Sequence, residues 1–460
     1  MLPRLQLSGG GEVLTALGSH LACLPTDVRI GKFILLCAIF NVVDEGLTIA
    51  SILGTRSPFV APFDKRDAAD AAKRSFASGQ SDHLAAMAAY QMFDATVGQA
   101  KYDFAREHFL GIKTLQTIGS LKRQLLELLS DAGFVPAGLR ARAVEAAGRR
   151  AGGSDGVAQV MKNGLGPPPG QRDKAVTEVE RRVDLHDGVA YTRTEFVAEY
   201  GGTREWDMAK PPTADGGANG SANGSANGSA NGSLAGALGS LDIRNGNRNA
   251  AAAAAAAANT SSTSGPLLKA LLCAALYPQI VVVEGGKKGD GGKGGGGGKG
   301  GGKGGGGLKF MVREVGVQEP VAVALHPSSV NARESQFESK YLIYAEMIRT
   351  TQIYVRDSSP VSPYALMLFG GGLAAEGGTT GALSARGAKK AADDISVLVV
   401  DSWIRFRVPN RVERLILDVR SQLSALLMRK IEKPELEFSS AGKGILNAVT
   451  ALLAAPPPEL

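Results

Sequence analysis

The sequence predicts an α+β protein: a helical bundle, then a small β-barrel followed by a long helix, with long disordered insertions between and inside them. Three observations carry this. Apolar residues recur at helical spacing from Ile30 to Leu128. From Ile280 they fall instead into short runs rich in β-branched residues and bounded by Gly, Pro and Asp, the pattern of strands. The remaining tracts are Gly, Ala, Asn and Ser, with Gly supplying 60 of 460 residues. Such tracts lack the apolar variety needed to offset an ordering cost of about 1–2 kcal/mol per residue. The foldable part is therefore nearer two domains than the three that length alone allows.

In the bundle, Ile30, Phe33, Ile34, Cys37 and Ala38 mark one helix, and Asp44 is suited to cap a second through Thr48 to Leu53. Ser81 is an N-cap for a helix through Leu84, Met87, Tyr90 and Phe93. Another begins near Tyr102 or Asp103 and carries Phe104 and Phe109. A third, from about Lys113 to Ser130, places Leu115, Ile118, Leu121, Leu125 and Leu128 on one face, and Gly133 ends it.

From 136 to 266 the pattern dissolves. Asn-Gly-Ser-Ala repeats between Asn219 and Ser233 and an Ala run from Ala250 to Ala258 predict a disordered, dispensable insertion. Within it Val176 to Trp206, with Tyr191, Phe196 and Tyr200, reads as a solvated coil or a transient helix that contacts a partner. Two motifs here carry no chemistry. Gly152-Gly153-Ser154-Asp155-Gly156 fits GxSxG but has no strand before it or helix after it. Asn219-Gly220-Ser221 fits a glycosylation acceptor, which has meaning only in a secreted chain.

Leu267 to Leu276 form a helix that Tyr277-Pro278 ends. Strands are expected at 280–283, 309–315, 321–325, 342–348, 351–355, 365–369 and 397–406, enough for a Greek-key barrel of about five strands with an added edge. A Gly/Lys loop at 285–307 and a Gly/Ala loop at 370–392 interrupt it, and long surface loops are cheap to close. Asn410 and Glu413 suggest a capping box for a helix to Pro434 that holds Val412, Leu415, Ile416, Val419, Leu423, Leu426, Leu427 and Ile431 on one face. This helix should pack on the barrel, leaving 436–460 as a tail.

Lys+Arg number 51 against 44 Asp+Glu, giving +7 and a pI near 9.2. That mild excess suits contact with a phosphate backbone and equally suits plain surface solvation. Cys23, Cys37 and Cys273 are scattered without CxxC spacing, which excludes a disulfide framework and a zinc site as readings and points to buried thiols in a reducing, intracellular compartment. No apolar run reaches the ~18–20 residues of a membrane span, and no signal peptide is evident, so secretion is not expected.

One set of motifs goes further. His326-Pro327-Ser328-Ser329-Val330-Asn331 is followed by Tyr341-Leu342-Ile343-Tyr344, then Thr351-Gln352-Ile353-Tyr354-Val355-Arg356-Asp357, then Pro363-Tyr364-Ala365-Leu366. In order and spacing these resemble the oligonucleotide-binding (OB) barrel of DEAH/RHA-type RNA helicases. Upstream, Leu14-Thr15-Ala16-Leu17-Gly18, Leu21 to Pro25 and Arg29-Ile30-Gly31-Lys32 resemble that family's junction between winged-helix and ratchet domains. Ser81-Asp82-His83-Leu84 and Lys122-Arg123-Gln124-Leu125 match ratchet landmarks. The resemblance covers roughly 12–135 and 267–435. It implies a winged-helix remnant at 1–28, a helicase-associated ratchet bundle at 29–135 and an OB-fold domain at 267–435.

For binding, the resemblance implies single-stranded RNA against the barrel loops and one bundle helix. The candidates are His326, Ser328, Ser329, Arg349, Thr350, Thr351 and Arg356, with Lys113, Thr114, Lys122, Arg123 and Gln124. The competing readings make His326 a turn residue, pair Arg356 with Asp357 or a barrel carboxylate, and treat the Lys/Arg pair of the helix as a solvated face. His83 reads as a capping or packing histidine. Lysines 287, 288, 293, 299 and 303 offer weak polyanion affinity or simple solubility.

A helicase motor also needs a phosphate-binding loop ending in GK(S/T). Gly294 to Gly300 around Lys299 and Ala441-Gly442-Lys443-Gly444 both put glycine after the lysine, and Asp44-Glu45-Gly46 lacks the rest of a DEAH box. No catalytic residue, metal or cofactor is therefore expected in this chain, which should not hydrolyse ATP by itself; ATP and magnesium are implied only for a full-length helicase. A motor half and a glycine-patch activator are the partners the family implies. The alternatives are an incomplete stretch of a full ATP-dependent helicase and a protein-interaction scaffold that binds no RNA.

Overall fold

The computed structural model describes residues 14–136, 139, 143–145, 181–183, 190–192, 255–261, 264–285, 308–376 apart from 315 and 318, and 395–456. The first helices are α1 (Ala16–Cys23), α2 (Val28–Ile39) and α3 (Val43–Leu53). Gly46 lets α3 cross α2 closely, because a Cβ there would lie 2.4 Å from the Cys37 Cβ. Asp44 does not cap α3: Val42 holds the cap position without a side-chain bond, and Asp44 is buried inside the first turn. An unanticipated helix, α4 (Arg66–Ser75), follows; its only apolar residues are alanines, too small to register as periodicity.

α5 (Asp82–Ala95) starts as expected, with the Ser81 hydroxyl accepting from the Leu84 N–H. α6 spans Gln99–Glu107 and leaves Phe109 outside at φ 55°. α7 (Ile112–Asp131) buries Leu115, Ile118, Leu125, Leu126 and Leu129, and Gly133 beyond it takes φ 77°. α8 (Gly265–Leu276) is apolar on nearly every side and is correspondingly buried, packed on α2.

The segment assigned to the insertion is built into this bundle at both ends. Val144, Ala255 and Asn259 are almost fully buried, and Leu139 and Ala258 nearly so. Asn259 donates to the carbonyls of Ala255 (2.9 Å) and Val144 (3.3 Å), and its Oδ1 accepts from the Asp44 N–H (2.9 Å). The boundaries 136 and 266 are therefore too wide, since alanine tracts hide a packing surface that periodicity cannot reveal. Deleting all of 136–266 is expected to cost several kcal/mol in a urea titration through lost core and an unsatisfied Asp44 amide; an unchanged midpoint would refute this. Within 176–206, where a coil or transient helix was expected, β1 (Arg181–Val183) pairs antiparallel with β2 (Ala190–Thr192). The remainder of the insertion and the Gly/Lys and most of the Gly/Ala loop lie outside the described residues.

The barrel consists of β3 (Ile280–Glu284), β4 (Lys309–Val312), β5 (Val321–Leu325), β6 (Tyr341–Arg349) and β7 (Ile353–Pro360). It closes in the order β3-β4-β5-β7-β6, antiparallel except for β5 against β7. This is the five-stranded Greek-key barrel the strand count suggested.

Beyond it the structure departs from the expected strands. Residues 363–369 form α9 (Pro363–Phe369), started by Ser362, whose hydroxyl accepts from the Ala365 N–H, and by Pro363 in the first turn. The Ser-Pro start signal prevails over an apolar run that periodicity reads as a strand. The expected 397–406 strand is a hairpin of β9 (Ile395–Val400) and β10 (Ile404–Pro409), turning at Asp401 and Ser402 with φ of 47° and 66°. With β8 (Leu373–Glu376), which lies inside the expected 370–392 loop, it forms a separate three-stranded sheet.

α10 (Asn410–Glu432) packs on β9, β10, α1 and α9 rather than on the barrel, because the apolar face that awaits it belongs to this sheet, through Leu398, Val400, Ile404 and Phe406. No capping box forms: Pro409 is the cap, and Asn410 instead accepts from the Ser396 hydroxyl. Leu415 of the expected apolar face is 60 % exposed. Arg420 points inward instead and donates to the carbonyls of Met367 (2.6 Å), Gly370 (2.9 Å) and Gly371. The expected tail carries α11 (Ser440–Ala454), which buries Leu446, Val449 and Leu453 against α8, α9 and α10.

Candidate nucleic-acid interface

The bundle and the barrel meet across a buried polar seam. Asp82, first residue of α5, is 2 % exposed and turns its carboxylate toward the barrel. Its Oδ1 accepts from the Val330 N–H (3.0 Å) and faces the Lys73 ammonium at 2.6 Å; its Oδ2 accepts from the Ser329 hydroxyl (2.5 Å) and the Ser358 N–H (2.9 Å). Burial alone would push this carboxyl up. The Lys73 charge and the bonds from Lys73, Ser329 and Val330 more than offset burial and hold it below the usual carboxylate value. Lys73 also donates to the Ser328 carbonyl (2.8 Å), so one ion pair from two bundle helices clamps the His326–Asn331 loop.

Beside it lies a second chain of bonds. The Ser81 and Ser359 hydroxyls are 2.6 Å apart, and Ser359 lies 2.7 Å from His83 Nδ1. The Ser81 oxygen already accepts from Leu84, so the arrangement that places every proton has Ser81 donating to Ser359 and Ser359 donating to Nδ1. His83 then carries its proton on Nε2. Burial holds this imidazole below the usual histidine value, so it is neutral near pH 7. Its Nε2 has no partner among the described residues.

A cleft of about 360 Å³ opens at the seam, lined by the polar side chains of Arg29, Lys73, Asp82 and His83 from the bundle and Glu346 and Asp357 from the barrel, together with apolar residues such as Ile52 and Leu276. Asp357 holds φ 52° in mid-strand, where a non-glycine residue is strained.

Against this geometry the twelve candidates divide into four groups. His326, Ser328 and Arg356 lie beside the cleft without lining it: Lys73 and Glu346, which do line it, bond the Ser328 carbonyl (2.8 Å) and Arg356 (3.4 Å), His326 Nδ1 lies 2.7 Å from the Ser328 Oγ, and its ring stands edge-on to Tyr354. Burial, and after it the Arg356 charge, depresses the His326 imidazole. Arg349, Thr350 and Thr351 form the exposed tip of the β6–β7 hairpin, with Arg349 paired to Glu314. Lys113, Arg123 and Gln124 are exposed on α7, with Thr114 half-buried, away from the cleft lining.

The last two candidates, Lys122 and Ser329, are buried. Lys122 is 2 % exposed, 2.7 Å from Asp44 and 3.4 Å from Glu145, over the Tyr90 ring. Ser329 is 5 % exposed and given over to Asp82. Neither presents a surface to RNA in this structure. Sequence reasoning missed Lys73, Asp82 and Asp357; the acidic residues inside the Ser-Asp-His and Arg-Asp motifs were the available signal. Among the described residues no helix is long and apolar enough to cross a membrane.

Known proteins share these parts. Residues 27–86 match the helicase associated domain (HA2), ratchet-like; 268–373 match the oligonucleotide/oligosaccharide-binding (OB)-fold; and 396–455 match the C-terminal domain in RNA helicases. The last match sets the β9–β10 hairpin, α10 and α11 apart from the OB-fold match, which ends at 373 within β8, whereas 435 was the expected end of the barrel domain. Over 96 % of its length the chain is 33 % identical to DHX57 of Mus musculus, which carries the name of an ATP-dependent RNA helicase, and covers 24 % of that protein. It is 28 % identical to the DExH-box ATP-dependent RNA helicase DExH1 of Arabidopsis thaliana and 25 % identical to the ATP-dependent DNA/RNA helicase DHX36 of Homo sapiens, again over 96 % of its length and covering 29 % and 30 % of them. The chain thus spans under a third of the length of these relatives.

Proposed function

The chain belongs to the C-terminal, helicase-associated region of DEAH-type RNA helicases, and from that premise we propose that it holds single-stranded RNA across the seam between bundle and barrel. The observation that carries this is that the His326–Asn331 loop and Arg356 of β7 are tied to residues lining the cleft beside the first turn of α5, Lys73 holding the Ser328 carbonyl and Glu346 pairing with Arg356. Hydroxyls, backbone amides and an arginine at the lip of such a barrel are the groups that grip an unpaired strand. Arg349, Thr350 and Thr351 extend the path along the hairpin, and the exposed face of α7 offers Lys113, Thr114, Arg123 and Gln124 as a second contact. The relatives' names supply the motor: ATP turnover, on this reading, belongs to a helicase core, and these residues contribute grip.

Salt-titrated binding of a fluorescent single-stranded RNA tests the reading. Arg349 sits in an exposed pair and Arg356 is half-buried in a long one, its Nε without a partner among the described residues, so removing them should change stability by about 1 kcal/mol or less. The Arg349→Ala, Arg356→Ala double variant is expected to bind more weakly and to lower the salt slope by roughly 0.7 per lost phosphate contact. A double variant of normal stability and unchanged affinity at low salt would remove this site from the path and leave α7 as the remaining surface.

A further inference from the structure

Two groups at the cleft make no hydrogen bond to each other or to any other described residue, and they are complementary, close enough for the Asp357 charge to act on the His83 ring. Among the described residues His83 Nε2 has none, and the proton accounting above makes it a donor. The Asp357 carboxylate receives no hydrogen bond from any described residue, although its neighbours Asp82 and Glu346 are both engaged. Asp357 is moreover held at φ 52° inside β7, so the barrel maintains a strained backbone that sets this carboxylate at the cleft. A ligand that satisfies both must offer an acceptor and a donor together. A phosphate offers acceptors alone and would face four lining carboxylates, Asp27, Asp82, Glu346 and Asp357, against Arg29 and Lys73. The cleft's 360 Å³ is the space of about a dozen waters, on the scale of one nucleobase with its sugar.

We infer that the cleft takes one unstacked nucleobase of the bound strand and reads its hydrogen-bonding edge between His83 Nε2 and the Asp357 carboxylate. This rests on the single-strand reading above and adds to it a base contact where that reading has backbone contacts. His83 and Asp357 would then discriminate among strands without contributing to the salt-dependent grip.

The test compares the full chain with its Asp357→Gly variant, in which glycine adopts the same φ without strain, and with His83→Gln, which keeps an amide near the Nε2 position. Each is titrated with a mixed-sequence RNA of about twelve nucleotides, with the same strand carrying abasic ribose at its centre, and with a centrally 2′-deoxy strand. The wild-type chain should bind the abasic strand roughly tenfold more weakly than the intact one. Asp357→Gly should lose that difference while keeping the wild-type salt slope, and His83→Gln should retain part of it. Equal wild-type affinity for intact and abasic strands, with salt-dependent binding preserved, would overturn the base site alone and leave ordered water as the occupant. A loss that follows 2′-deoxy substitution instead of base removal, or discrimination that survives in Asp357→Gly, would overturn it too. Absence of any RNA affinity at low salt would sink the single-strand reading and the base site with it.

Discussion

Lys122→Met should destabilise the protein by about 3–5 kcal/mol, the range for stripping one partner from a buried ion pair. Its ammonium lies between Asp44 and Glu145 and above the Tyr90 ring, with 2 % of its surface exposed. Burial alone would push this lysine's pKa down; the carboxylates of Asp44 and then Glu145 more than offset that and hold it above the ordinary value. Methionine matches the stem in volume, so the loss would measure two carboxylates left in the core and not a cavity. Adding Asp44→Asn should recover part of the loss, since the residues share one network and their effects cannot add. Urea titration of the single and double variants reads both quantities, and a single-variant loss below about 1 kcal/mol would show that the site rehydrates freely. The same result separates Lys122 from its exposed neighbours Arg123 and Gln124: if RNA affinity falls with Lys122, it should fall only in step with unfolding.

Lys122 also shows where sequence reading stops. The Lys-Arg-Gln-Leu motif and the helix carrying it were legible from periodicity, yet which of two adjacent cations faces inward depends on Asp44 and Glu145. The second of these lies in a stretch that looks like linker. The barrel's strands β3 to β7 were legible because β-branched runs between turn residues have few other uses. Residues 363–369 and α10 were misread for a common reason: apolar content says that a segment is buried and not what covers it. The three-stranded sheet that receives α10 is assembled from a hairpin and from β8, hidden in a Gly/Ala tract. At the candidate interface, His326, Ser328 and Arg356 could be selected as polar loop residues, whereas Asp82 could not. Its role appears only when the first turn of α5 is brought against a loop nearly 250 residues further along the chain.

Asp82→Asn should separate bundle from barrel more effectively than any loop substitution. The carboxylate accepts from Ser329, Val330 and Ser358 and pairs with Lys73, so the amide would present a donor to donors and leave a buried ammonium without its counter-charge. A loss of about 3–5 kcal/mol is expected, and Lys73→Met in the same chain should restore part of it. The pH dependence gives an independent reading. Because the folded-state pKa of Asp82 is lowered, its stabilisation is fully present above the unfolded value near 4 and disappears as the pH falls through the folded value below that. His83 acts in a different window: its folded value is also lowered, so the stability it confers as a neutral group is present above about 6.5 and fades as the pH falls below that. The two contributions therefore occupy different pH windows, although the Asp82 charge acts on His83. The difference in urea midpoint between wild type and Asp82→Asn should hold or widen from pH 7 to about pH 5, because the Asp82 charge also favours the protonated His83 ring, and shrink below about pH 4. A difference that shrinks with the histidine window instead would mean that Asp82 is not the ionised centre of the seam.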